Sequence, residues 1–341
     1  MADKWDCQVS ESAMKFGKPG AEQVVQPQMF SVKATFVRNR AAKACNAVIE
    51  GLIANLEKKP PKFNIIKHRA KSGVALEIGP YDHHMAGLAW SKETNWADWD
   101  LDISQEFWHW SIEKLLSRTI SPKIEKTFLV LGNDFQHVDN PKNETFGGTL
   151  QDMDTRWDKM VEAAVNSSTG TIDTIAREVS PVHVILVKGN HDPTSTSWLG
   201  RILEAIYSNN KHVTFDRAPN KNKIIEWGRN LVMLTHGEKA VASSKWKQLA
   251  NVLAGEFSQE WGRCEYREVH AGHLHHEISH DILGCILRRM RALGPPNDWA
   301  ALNNYVGSLR GTEGFEWDRE EGLINLPRVN VPARMQRPLA A

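Results

Sequence analysis

The sequence predicts an α/β fold with a two-sheet core and helices outside, and three observations predict it. From Val74 to Val187, apolar β-branched runs alternate with amphipathic stretches in the order strand, loop, helix, strand. The half that follows is richer in hairpin signals, which calls for a second sheet packed on the first. Several apolar runs also end in loops bearing Asp, Asn or His, as expected of a site beyond the carboxyl ends of strands.

Taken in order, residues 1–28 are polar, carry Gly and Pro, and predict a flexible arm. Residues 29–73 predict a small basic α+β unit. Met29 to Val37 alternates like a strand, and Arg40 to Leu56 has helical spacing through Ala44, Val48, Leu52 and Leu56. Lys58-Lys59-Pro60-Pro61 breaks the helix before Phe63-Asn64-Ile65-Ile66. The main domain is expected over 74–327. Val74 to Ile78 is its first strand, Ile103 to Leu116 a helix, and Thr127 to Leu131 a strand ending at Gly132. Arg156 to Val179 is mostly helical, and Val182 to Val187 is a buried strand. Ile224 to Leu234 forms a hairpin turning at Gly228-Arg229-Asn230, and Glu265 to His270 is a further strand. Residues 328–341, with Pro332 and Pro338, predict a flexible tail.

A chain of 341 residues can bury a large core. Its net charge of +1 excludes a wholesale nucleic-acid-binding footprint, but 13 Lys and Arg against 6 Asp and Glu before Val74 leave a local basic stretch. The 4 cysteines lack Cys-x-x-Cys spacing and predict free thiols. The N-terminus has no apolar signal core, and no run approaches the ~18 apolar residues of a membrane span. A cytoplasmic protein without membrane contact is expected.

Five stretches carry chemistry: Asp82-His83-His84, Gly132-Asn133-Asp134, Gly189-Asn190-His191-Asp192, His236-Gly237 and Gly272-His273-Leu274-His275. Carboxylates, an amide oxygen and imidazoles form a mixed donor set suited to two adjacent divalent metals. Asp82 and His84, two apart, would share one side of an extended segment, as would His273 and His275. Metal one would take Asp82, His84 and His275. Metal two would take Asn190, His236 and His273, with Asp134 shared between them. His191 would stand beside the metals as proton donor. Taken alone, Asp134 is equally well explained as a helix or turn cap. His276 and His280 are expected at the surface or behind the ligands.

These blocks, in this order over about residues 75–280, resemble the calcineurin-like metallophosphoesterase superfamily, in particular phage-encoded, repair-nuclease-like members. The resemblance implies a four-layer α/β/β/α sandwich and phosphate-ester hydrolysis at a two-metal centre with the ligands above. Two departures stand out. Asn133 is inserted into the usual Gly-Asp, and the first block is one residue longer before Gly87. The stretch Asp134-Phe135-Gln136-His137-Val138-Asp139 lacks the phosphate-gripping Arg of the Ser/Thr phosphatase branch, and it has His137 where purple acid phosphatases have a Tyr. A phosphodiesterase acting on DNA or RNA is therefore expected, with a phosphomonoesterase for a nucleotide or small ester as the alternative. His137, Asp192, Trp96 and Trp99 are candidate substrate contacts: the two indoles would stack on bases or else pack against the rim of the site, and His137 would orient substrate or stand behind the ligands. Manganese is the expected metal, with iron, zinc and nickel compatible with the same donors.

Overall fold

The computed structural model describes residues 14–16, 23–25, 50–51, 53–54, 58, 71–240 and 243–336. The chain divides into two units, Met1–Gly51 and Leu52–Ala341. In the first, β1 (Met14–Phe16) pairs antiparallel with β2 (Gln23–Val25), within the stretch expected as an arm. Most of the expected basic unit of 29–73 lies outside the described residues.

In the second unit, the sheets follow from where apolar residues fall. β3 (Val74–Ile78), β4 (Lys126–Gly132), β5 (Val182–Val187) and β6 (Val213–Asp216) pair in parallel in that order. β3 and β4 are buried along nearly their whole length, as strands covered on both faces must be. On the far side of β3 lies antiparallel β12 (Gly311–Asp318), which carries β13 (Gly322–Asn325) and β14 (Arg328–Asn330). The expected tail thus begins with a strand, because Arg328 to Asn330 supplies the hydrogen-bond edge that β12 lacks.

The second sheet runs β10 (Ile278–Ile282), β11 (Cys285–Arg289), β9 (Tyr266–Ala271), β8 (Asn230–Thr235), β7 (Lys223–Trp227). Its β7–β8 hairpin turns at Gly228-Arg229, where Gly228 has φ +59°. Between the sheets lie Phe128, Val130, Ile185 and Val187 from one side and Ile225, Val232 and Leu234 from the other. A polar chain crosses the same layer. His270 on β9 sits 2.7 Å from Glu77 on β3 and 3.0 Å from Glu268, and Trp317 Nε1 donates to Glu77. Burial would lower the His270 pKa, but the two carboxylates push it up to about 9.

Helices α1 (Leu101–Ser117), α2 (Trp157–Glu178) and α3 (Pro193–Ile206) flank the first sheet. On the outer face of the second, α4 (Ser243–Lys247), α5 (Leu249–Glu256) and α6 (Ser258–Arg263) set Trp246, Leu249 and Leu253 against Met233, Val269 and Leu287. The order is helices, sheet, sheet, helices: the expected four-layer α/β/β/α sandwich. Asp100 caps α1 by accepting from the Ile103 amide, and α3 opens on Pro193. Asp139 caps α3 from a distant loop, its Oδ1 accepting from the Thr194 and Ser195 amides at 2.8 Å each. That bond ties the loop after β4 to the one after β5.

Candidate metal centre

Five loops leave the carboxyl ends of β3, β4, β5, β8 and β9 on the same end of the sandwich, and they bring the expected residues together. Asp82, His84 and His275 place one ligand atom each within 4.8 Å of one another, and Asp134, His236 and His273 do the same. His84 Nε2 and His275 Nε2 are 3.2 Å apart, and His275 Nε2 is 3.6 Å from Asp82 Oδ1. Around His236 Nε2 stand Asn190 Oδ1 at 2.7 Å, Asp134 Oδ2 at 3.0 Å and His273 Nδ1 at 3.2 Å. All seven expected ligands are therefore in the cluster.

The donor chemistry fits a cation. His236 Nδ1 donates to Asn133 Oδ1 at 2.6 Å, so its neutral ring offers only a lone pair at Nε2. That lone pair faces a carboxylate oxygen, an amide oxygen and another ring nitrogen. Three acceptors so close, with the His273 ring nitrogen beside them, repel unless a positive centre lies among them, and a divalent metal satisfies all four. Without one a proton serves: burial would lower the His236 pKa, yet Asp134 and Asp82 push it up to about 9. Burial, then the neighbouring imidazoles, holds His84 well below the usual range, in the neutral form that ligates.

The backbone differs from the expected extended alternation. Asp82, His84, Asn133, Asp134, His273 and His275 all have positive φ, from +47° to +76°. Asp, Asn and His tolerate this left-handed region better than most residues, so the chain coils and pairs of ligands still converge. The inserted Asn133 is absorbed in that coil, and its side chain orients His236. It is a site residue without a sequence signal beyond its extra position. Two glycines permit the close approach: a Cβ on Gly189 would overlap the Asp134 carboxylate, and one on Gly272 would overlap that of Asp82. In place of that Cβ, the His273 amide donates to both Asp82 oxygens, at 2.9 and 2.8 Å.

His191 lies at the edge of the cluster. Its amide donates to Asp134 Oδ1 and its Nδ1 to the His137 carbonyl, each at 2.8 Å, leaving Nε2 uncommitted.

The four candidate substrate contacts are all buried. Asp192 is fully buried, and its Oδ2 accepts from the Gln136 amide at 2.9 Å, holding the loop that carries Asp134. Burial, then the Asp134 charge, pushes its pKa up to about 8. His137 is buried with Nδ1 3.2 Å from His84 Nδ1, and its ring clusters with those of His84 and His191. Trp96 and Trp99 are 8% and 3% exposed, too enclosed to offer a face to a base, and Trp99 Nε1 donates to the His84 carbonyl. His276 Nδ1 lies 2.8 Å from the Leu274 carbonyl, and His280 on β10 accepts from Trp246 Nε1 at 3.1 Å.

No protein-family pattern matches the sequence, and no curated protein does. Among solved structures the chain is similar to Vps29 of Entamoeba histolytica in complex with Zn2+, at 12% identity over 75% of this chain and 98% of that one, TM-score 0.30. It is similar to Vps29 of Chaetomium thermophilum at 13% identity over 78% and 98%, TM-score 0.32. It is also similar to a novel archaeal phosphodiesterase at 9% identity over 76% and 99%, TM-score 0.35. Likenesses this distant carry no functional argument, so the chemistry rests on the geometry above.

Proposed function

We propose that the chain is a two-metal phosphoesterase of the calcineurin-like superfamily, cleaving phosphodiesters, with DNA or RNA as the substrate class. One observation carries the proposal: two ligand groups drawn from both sheets meet side by side, with Asp134 beside His236 on one flank and His191 on the other. When bound, two divalent cations supply Lewis acidity that activates water and neutralises charge on phosphate oxygens. The chain's own part is to hold those ligands and to manage the leaving group's proton. His191, fixed by its Nδ1 bond to His137, holds that proton at Nε2 and gives it to the departing alkoxide.

Mn2+ with bis(p-nitrophenyl) phosphate and p-nitrophenyl phosphate tests the reading. Faster hydrolysis of the bis-ester supports it; preference for the mono-ester favours the phosphomonoesterase. Silence on both by a chain holding two metals would refute either. Single- and double-stranded DNA and RNA in the same assay test the polymer.

The Asn133 contact makes a separate forecast. Asn133→Ala frees the His236 ring and should weaken metal binding by roughly 10–100-fold, the usual cost of losing a partner behind a ligand. Calorimetric Mn2+ titration reads this, and an unchanged affinity would deny Asn133 its role.

An exposed aromatic residue lies next to His191. Phe146 is 70% exposed at the tip of a hairpin closed by the Thr145 amide on the Thr149 carbonyl, and its own amide donates to the His191 carbonyl at 3.3 Å. A nucleobase stacking there would gain about 1–3 kcal/mol. Phe146→Ala should then raise KM for thymidine 5′-p-nitrophenyl phosphate and leave methyl p-nitrophenyl phosphate unaffected. Equal effects on the two esters would count against stacking.

A further inference from the structure

The turn that presents His273 and His275 is held from outside the ligand set. β11 ends at Arg289, whose Cα pairs with Ala271 on one neighbour and Ile278 on the other, so its side chain starts beside both stems of the turn. The residue is 6% exposed, and its guanidinium lies 4.4 Å over the Trp246 ring. Among the described residues no carboxylate pairs with it, which is unusual for a buried cation. Burial lowers its pKa, and the Asp82 charge opposes that shift.

Its hydrogen bonding has one consistent direction. A guanidinium only donates, so Arg289 Nη1 gives its proton to His276 Nε2 at 3.3 Å. His276 must then carry its own proton at Nδ1, which donates to the Leu274 carbonyl at 2.8 Å. Leu274 lies between two ligands whose φ values are +76° and +54°. Left-handed backbone at such residues persists only where the surroundings over-determine it.

We propose that Arg289 and His276 are positioning residues, a latch that fixes the Leu274 carbonyl and so aims the His273 and His275 imidazoles at the two metal positions. The proposal rests on the two-metal reading above.

Arg289→Met keeps an apolar chain over Trp246 and removes the donor; His276→Leu removes the middle of the relay. Each should lower Mn2+ affinity by roughly 10–100-fold. Turnover of bis(p-nitrophenyl) phosphate at saturating Mn2+ should return to the wild-type value. The double variant should be no worse than the weaker single, because both act through one contact. Arg289→Lys, which keeps a charged donor, should restore part of the affinity. Tm after EDTA treatment should not fall in Arg289→Met, since the cost of burying a cation with no paired carboxylate offsets its contacts with Trp246 and His276. A lowered metal-free Tm with unchanged affinity overturns the latch in favour of plain packing, and additive losses overturn the shared contact. If wild type takes up no metal, the two-metal reading falls and the latch with it. If wild type takes up two and both variants bind as tightly, only the latch falls.

Discussion

Asp134→Ala should empty the centre and stop hydrolysis. The carboxylate faces His236 Nε2 at 3.0 Å through one oxygen and accepts the His191 amide at 2.8 Å through the other. Burial works against its charge, but His236 and His191 hold the carboxyl well below the usual range, so it is a carboxylate at any working pH. Removing it takes away the carboxylate that belongs to the second ligand group and leaves His273 and Asn190 to hold a cation with His236 alone. Metal content should fall from two per chain to less than one. Metal-ion catalysis is worth several kcal/mol, and each 1.36 kcal/mol is about tenfold, so kcat/KM should drop by roughly three decades or more. Asp134→Asn keeps the shape and loses the charge, and should behave nearly as badly. Elemental analysis after gel filtration, beside the bis-ester assay, decides it. A variant that keeps two metals and full turnover would remove Asp134 from the centre.

Most of the ligands are legible in the sequence because Asp82, Asp134, Asn190 and His236 each follow a strand whose apolar run is itself plain. Val74 to Ile78, Thr127 to Leu131 and Val182 to Val187 are buried on both faces, so their ends, and the Asp82, Asp134 and Asn190 that follow, could be placed from hydrophobicity alone. The means of convergence was not legible. Period-two alternation suggested extended pairs, whereas left-handed turns do the work, and nothing in Asp-His-His or His-Leu-His distinguishes these two backbones.

Polar residues inside the fold account for most of the remaining differences. β12 reads Gly311-Thr-Glu-Gly-Phe-Glu-Trp-Asp318, a composition that hides a strand buried almost throughout. Its glutamates are tolerated because Arg291 Nε donates to Glu313, and the Ile120 and Ser121 amides donate to Glu316. Asp192 is buried for the same reason: its oxygen holds the Gln136 amide inside the protein. Trp96 and Trp99 lie in the expected loop region, yet that loop folds back through paired hydrogen bonds between Ala89 and Trp99 and buries them. Arg289 is invisible from sequence altogether, because the latch exists only once β11 lies beside β9.

His191→Ala should separate chemistry from metal binding. The imidazole is in neither expected ligand group, and Nε2 is the one ring nitrogen its hydrogen bonds leave uncommitted, since Nδ1 is spent on the His137 carbonyl. The His191 amide, not its ring, supports Asp134, and the alanine keeps that amide. Metal content should therefore stay at two per chain. Turnover on DNA or RNA should fall roughly 10²–10⁴-fold, the typical worth of a positioned general acid. The loss should shrink sharply for bis(p-nitrophenyl) phosphate, because p-nitrophenolate departs without needing a proton while a ribose or deoxyribose alkoxide does not. Equal losses on both leaving groups would instead assign the ring to stabilising phosphate charge, and loss of metal along with activity would make it a ligand.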